Sequence, residues 1–259
     1  MRRSVGDGAS EGVVRRPLVV EFAGLPGAGK TTLAGRVAGL LREQGVPADE
    51  PLLAFSGRFW GRRTPRALMH LFRRPAAACR ALGAIGRSGQ RTGRDAACLA
   101  HTWLFLHTLM GECRRSGRIA LFDQGIIQAL WSVALNARHD ALPTFLAAVR
   151  ETMCRPDVVV VVDVHPDVAA RRLRTRPYGR SRLERGPWNP WLFERGVAVW
   201  RRLEPLIATL CADVMVVPND RGDVVDESVR RLAGWITGGA PAAGVPAPPG
   251  ITPGARSIG

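Results

Sequence analysis

Lysine is almost absent from this chain. Of 37 basic side chains only one, Lys30, is lysine, and the rest are arginine. A sequence that uses arginine for every other positive charge keeps lysine where a compact, flexible ammonium is needed and a planar guanidinium would not fit. Carboxylates are also scarce, 22 Asp plus Glu, so the formal net charge is +15. There is no zinc-finger spacing and no RNA-recognition signature, and a single tyrosine offers little for base stacking. Nucleic acid is therefore the weaker partner for that charge, and phosphate-bearing small ligands account for clustered arginine more directly. No apolar run reaches the roughly 18–20 residues that cross a membrane. The opening stretch, residues 1–8, lacks the apolar core of a signal peptide. The five cysteines (Cys79, Cys98, Cys113, Cys154 and Cys211) are scattered and odd in number, with no C-x-x-C pair and no Cys/His ligand spacing. They read as reduced thiols in or near the core of a cytoplasmic protein without a membrane partner.

Against these absences stands one dense motif. Gly24-Leu25-Pro26-Gly27-Ala28-Gly29-Lys30-Thr31-Thr32 fits the phosphate-loop pattern G-x-x-x-x-G-K-[ST] at every fixed position. The apolar run before it, residues 17–23, reads as a strand buried on both faces of a parallel sheet. The run after it, from Thr31 to about Gln44, reads as a helix. In that setting the glycines let successive N–H groups face one anion, and the helix N-terminus adds its partial positive charge. Lys30 is expected against the outer phosphates of ATP, with the Thr31 hydroxyl on Mg2+.

The length, 259 residues, suits one α/β domain with tails. Residues 1–16 are expected to be a disordered leader, 17–237 the domain, and 238–259 a disordered Pro/Gly/Ala-rich tail. After the first helix, residues 45–51 give a short second strand. Residues 52–94 mix aromatics, glycine and arginine, with helical character over 65–83 broken at Pro75. They are either an insertion over an acceptor pocket or a solvated basic helix. Asp95 to Arg115 reads as a long apolar helix, in which His101 and His107 are expected to be structural. Residues 117–123 form a strand ending in Asp123, an acidic residue at the carboxyl edge where ligands of open α/β sheets gather. Asp123 could hold Mg2+ or take a proton from an attacking group. A helix follows to Asn136.

The β-branched run at 156–164 predicts a central strand, and its Asp163 competes with Asp123 for the metal. A helix opened by Pro166 leads into Arg171, Arg172, Arg174, Arg176, Arg180, Arg182 and Arg185. Residues 177–190 are rich in Pro and Gly. An arginine-rich mobile segment of this kind, spanning about 172–190, is what a phosphoryl-transfer lid requires. Trp191 to Leu210 reads as a helix broken at Pro205, and 213–218 as the last strand. Asn219-Asp220-Arg221-Gly222 forms the loop at its carboxyl edge, where Asn219 is counted among the nucleotide-binding residues. A closing helix covers 223–236.

In this order the pieces resemble the thymidylate-kinase-like branch of the P-loop nucleoside and nucleotide kinases, over roughly residues 17–237. The phosphate loop, Glu50-Pro51, the strand ending Asp123-Gln124-Gly125 and the segment from Pro156 to Arg176 carry the likeness. Ser181-Arg182-Leu183-Glu184 is similar to the family's acidic lid ending. The resemblance implies a P-loop NTPase fold, three layers α/β/α with a five-stranded parallel sheet and an Arg-rich lid. It implies Arg172 near the adenine, Arg176 and Arg182 near the transferring phosphate, Asp123 near Mg2+, and Glu50 as a base for the acceptor hydroxyl. Three features depart from the family pattern. Gln124 stands where the family has Arg, the helix from Asp95 lacks the substrate-binding Arg, and Glu50-Pro51 is not followed by a glycine-rich segment. These departures point to an acceptor that carries a hydroxyl without its own phosphate.

The expected function is transfer of the ATP γ-phosphate to a small-molecule acceptor, a nucleoside or nucleoside monophosphate, with a homodimer also admitted. A nucleotide-binding regulatory ATPase and a kinase of another metabolite are the alternatives. A nucleic-acid-directed kinase is a third, favoured by charge alone. A guanine-reading Asn-Lys-x-Asp is excluded because Lys30 is the only lysine.

Overall fold

The structure, a computed structural model, describes residues 18–53, 59–175, 188–220 and 225–238, with the side chains of 59, 60 and 225 left aside. The leader at 1–16, the tail beyond 238 and most of the proposed lid lie outside the described residues.

Five parallel strands form one sheet in the order β2-β3-β1-β4-β5. They are β1 (Leu18–Ala23), β2 (Ala48–Asp49), β3 (Ile119–Phe122), β4 (Val158–Asp163) and β5 (Asp213–Pro218). β1 lies at the centre, paired with β3 on one side and β4 on the other. The valines of β4 are all buried, as expected for β-branched residues in a doubly covered strand. Helices α1 (Lys30–Glu43) and α9 (Val225–Ile236) pack together on one face. The other face carries α4 (Gly93–Arg115), α5 (Ile126–Asn136) and α8 (Pro190–Ile207). Outside these lie α2 (Phe59–Arg73), α3 (Pro75–Arg87), α6 (Leu142–Val149) and α7 (Pro166–Arg174).

Several boundaries differ from the sequence reading for local reasons. α4 begins at Gly93 because Thr92 caps it: the Thr92 hydroxyl oxygen accepts from Asp95 N at 3.0 Å and its O–H donates to the Asp95 carboxylate at 2.8 Å. α8 starts at Pro190, a first-turn proline behind the Asn189 cap. Pro205 does not break α8, since a proline in the last turn forfeits a single ladder bond. Pro65 sits inside α2, on an exposed side of the helix where water can satisfy the carbonyl it leaves without a partner. α6 falls where no element is expected. Its eight residues are nearly all apolar, so they show no polar stripe by which a helix period could be read.

His107 and His101 are both buried in α4. His107 is buried with its ring 5.0 Å from those of Trp103 and His70, and its Nδ1 accepts from Cys154 N at 3.4 Å. Burial, aided by His70 and Arg74, pushes its pKa down to about 3, so the ring is neutral. The described cysteines are free thiols. Burial raises Cys113 to about 11 and Cys211 to about 12, which keeps both protonated and unreactive at neutral pH.

Candidate functional site

The loop between β1 and α1 is held in place by close backbone approaches. Gly27 has φ +87°, and a Cβ there would lie 2.4 Å from the Ala169 carbonyl of α7. Gly29 has φ +96°, and a Cβ there would lie 2.4 Å from Asn219 Nδ2. Neither position admits a side chain, so the glycine pattern follows from both torsion and space. Ala28 N closes the turn onto the Leu25 carbonyl at 3.0 Å. Leu25, Pro26 and Ala28 are buried, while Gly29 and Thr31 are partly open and Thr32 is exposed. Lys30 is buried, and its Nζ donates to the carbonyls of Gly24 and Leu25 at 2.9 Å each. The ammonium is thus fixed inside the curl of the loop.

The carboxyl edge of β3 supplies the acid. The Thr31 hydroxyl donates to Asp123 Oδ2 at 2.7 Å, so the end of β3 and the start of α1 meet at this point. A hydroxyl and a carboxylate side by side are the oxygen donors that Mg2+ accepts alongside phosphate and water, so the residues fit that ion. Asp163, the competing candidate, is exposed at the end of β4, close enough to Glu204 to raise that residue's pKa after burial has done so.

On the other flank, Asn219 Nδ2 donates to the Ala28 carbonyl at 2.6 Å, and Arg172 Nη2 donates to the Asn219 carbonyl at 2.8 Å. Arg172 Nη1 is buried without a hydrogen-bond partner, 4.0 Å from the position a Gly29 Cβ would take. That guanidinium N–H beside the loop is a buried donor without a partner among the described residues.

With strand order, loop and acid in place, comparison with known proteins is informative. The family described as AAA domain matches residues 19–192. The chain belongs to that family. Among solved structures, a deoxyadenosine kinase from M. mycoides with bound dATP has a TM-score of 0.50 at 12% identity, covering 82% of this chain and 98% of that one. A shikimate kinase from Bacteroides thetaiotaomicron has a TM-score of 0.46 at 19% identity, covering 84% and 97%. No curated protein matches the chain. At 12% identity the likeness to the deoxyadenosine kinase is one of fold alone, a parallel α/β sheet flanked by helices.

Within this AAA domain the remaining expected residues are placed unequally. Arg176 and Arg182 lie outside the described residues. The base of that segment is described: Arg174 lies over the Trp188 ring at 4.6 Å, and Trp188 packs 5.4 Å from Phe193. Glu50 is held by an arginine of α1. Its carboxylate accepts from Arg42 at 3.1 Å and lies 3.5 Å from where a Gly35 Cβ would be, so it lies along α1.

Two residues absent from the sequence reading belong to this region. Arg63 on α2 is half-buried with its guanidinium 5.0 Å from the Phe105 ring centroid. Burial lowers its pKa while the Asp123 charge opposes that shift, which puts Arg63 within electrostatic reach of Asp123. Nothing distinguished it in a stretch where arginine is everywhere. The second is Glu21, at the centre of β1 and fully buried. Burial pushes its pKa up to about 7, against the lowering effect of backbone N–H groups at the start of α5. A lone carboxylate in an otherwise apolar strand was the available signal.

Proposed function

We propose that this AAA domain is an ATP- and Mg2+-dependent phosphotransferase that moves the γ-phosphate to the hydroxyl of a small-molecule acceptor. A nucleoside or nucleoside monophosphate, in the manner of the thymidylate-kinase-like branch, is the first class to test. The observation that carries the reading is the 2.7 Å contact between Thr31 and Asp123 beside the buried Lys30. It joins two oxygen donors next to an ammonium already inside the phosphate loop. Thr31 and Asp123 would hold Mg2+, which would supply positive charge to offset the negative charge that develops on the transferring phosphate.

The chain's own residues supply the rest. Lys30 holds the outer phosphates, and Arg172 and Asn219 border the nucleotide on the Gly29 side. Arg63 on α2, within electrostatic reach of Asp123, gives the acceptor side a positive charge, with its guanidinium over the Phe105 ring. Arg176 and Arg182 are assigned to the transferring phosphate. Glu50 would serve as base only by exchanging its Arg42 partner, whereas Asp123 already faces the loop. The fold likeness to deoxyadenosine kinase supports beginning with nucleosides.

The test is Mg2+-ATP turnover across nucleosides, nucleoside monophosphates and other hydroxylated metabolites, with Lys30→Ala alongside. Acceptor-stimulated turnover that falls at least about 10^2-fold in the variant, as for loss of a charge-stabilising donor, supports the proposal. ATP binding without stimulation by any acceptor would replace it with the regulatory ATPase.

A further inference from the structure

Asp123 does its proposed work only if its carboxylate is held toward Thr31, and the turn that carries it has little local support. The turn is two residues long, Asp123-Gln124, between the end of β3 and Gly125. Gln124 is exposed, and α5 has no acidic residue in its first turn and no side-chain cap from Gly125. The first N–H groups of a helix need acceptors from elsewhere.

They are met from a different strand. Glu21 Oε1 accepts from Gly125 N at 3.1 Å and from Gln128 N at 3.0 Å, and Oε2 accepts from Ile127 N at 3.2 Å. The backbone of the same residue is in register with Phe122 in the β1–β3 ladder. Glu21 therefore holds both ends of the Asp123 turn, by its backbone at Phe122 and by its side chain at Gly125. The fit leaves no slack: a Cβ on Gly125 would lie 2.4 Å from the Glu21 Cδ and Oε2. A carboxylate with three backbone donors also satisfies the partial positive end of α5, as an anion at a helix N-terminus should.

We propose that Glu21 is a positioning residue for Asp123, fixing the carboxylate at the distance from Thr31 that Mg2+-nucleotide binding requires. The inference rests on the metal role given to Asp123 in the proposed function. Glu21 touches neither nucleotide nor metal in this account. It acts through three backbone N–H groups and one turn.

The test is binding of a fluorescent ATP analogue in excess EDTA and in Mg2+, for wild type, Glu21→Gln, Glu21→Leu, Asp123→Asn and the double variant Glu21→Gln/Asp123→Asn. Glu21→Gln keeps one oxygen but turns an amide N–H2 toward a backbone donor, so part of the clamp survives. The expected result is Mg2+-free affinity within about twofold of wild type, and a Mg2+ enhancement reduced about 10–100-fold in Glu21→Leu, the range for groups that orient a metal ligand. Glu21→Gln should fall between. In the Asp123→Asn background the Glu21 substitution should cost nothing further, because the two act as one unit. Glu21→Gln alone carries the test if Glu21→Leu does not fold. A Glu21→Gln variant that is less stable yet keeps the full Mg2+ enhancement overturns the inference and leaves the proposed function standing. A wild type whose nucleotide binding is indifferent to Mg2+ overturns both.

Discussion

Glu21 also makes the folding stability depend on pH, with a sign opposite to that of most carboxylates. Its pKa is about 7 in the fold against 4.5 for an ordinary glutamate, and burial is the cause. The native state therefore holds the proton more tightly than the unfolded chain. The stabilisation is fully present below pH 4.5 and is lost as pH rises through 7. Linkage over that shift gives about 2–3 kcal/mol of stability lost between pH 5 and pH 8 from this one group. His107 works in the other direction. Held neutral at about 3, it contributes stability above pH 6.5 that is lost as the solution is acidified toward 3. The wild-type curve is a sum of such effects, so the clean quantity is a difference. Urea unfolding of wild type and Glu21→Gln at pH 5, 6, 7 and 8 isolates it, since the amide does not titrate. The stability of wild type relative to Glu21→Gln should decline by about 2–3 kcal/mol across the series, most steeply between pH 5 and 6.5, midway between the unfolded and folded pKa values, and level off above pH 7. A difference that stays flat to within about 0.5 kcal/mol would refute the burial argument, and a difference that grows with pH would mean the backbone N–H groups outweigh desolvation.

Three further outcomes follow from named contacts. Trp103 is buried and packs 5.1 Å from the Phe145 ring in an edge-on arrangement, so Trp103→Ala should cost about 3–5 kcal/mol in denaturant unfolding. Arg172→Ala removes the orphaned donor beside Gly29 and its bond to the Asn219 carbonyl; nucleotide affinity measured by calorimetry should drop about tenfold, the worth of one charged hydrogen bond. Arg63→Gln should raise the acceptor KM while leaving the KM for Mg2+-ATP unchanged, and an effect confined to ATP would place Arg63 on the donor side.

The sequence by itself determined the frame. A strand, a nine-residue phosphate loop and a helix could be read in order because each carries its constraint locally. Gly27 and Gly29 are there for torsions only glycine adopts easily, Lys30 for a point charge, and the β4 valines for a strand covered on both faces. Asp123 was legible as an acid at a strand end. Asn219 and Arg172 were legible as residues at the right edge. Short-range patterns failed where burial is uniform or charge is everywhere. α6 lacks a polar face to set its period, and Arg63 is one arginine among many. Tertiary structure decided what depends on distances between residues far apart in the chain. It brought Thr31 to Asp123 and left Asp163 exposed at the end of β4, turned Glu50 toward Arg42, and set the carboxylate of Glu21 beneath a helix more than a hundred residues later. No periodicity encodes such pairings. The Thr31–Asp123 and Glu21 pairings arise because the parallel strand order puts β1 beside β3, so the ends of non-consecutive strands converge on one edge, where buried polar groups find partners across the sheet.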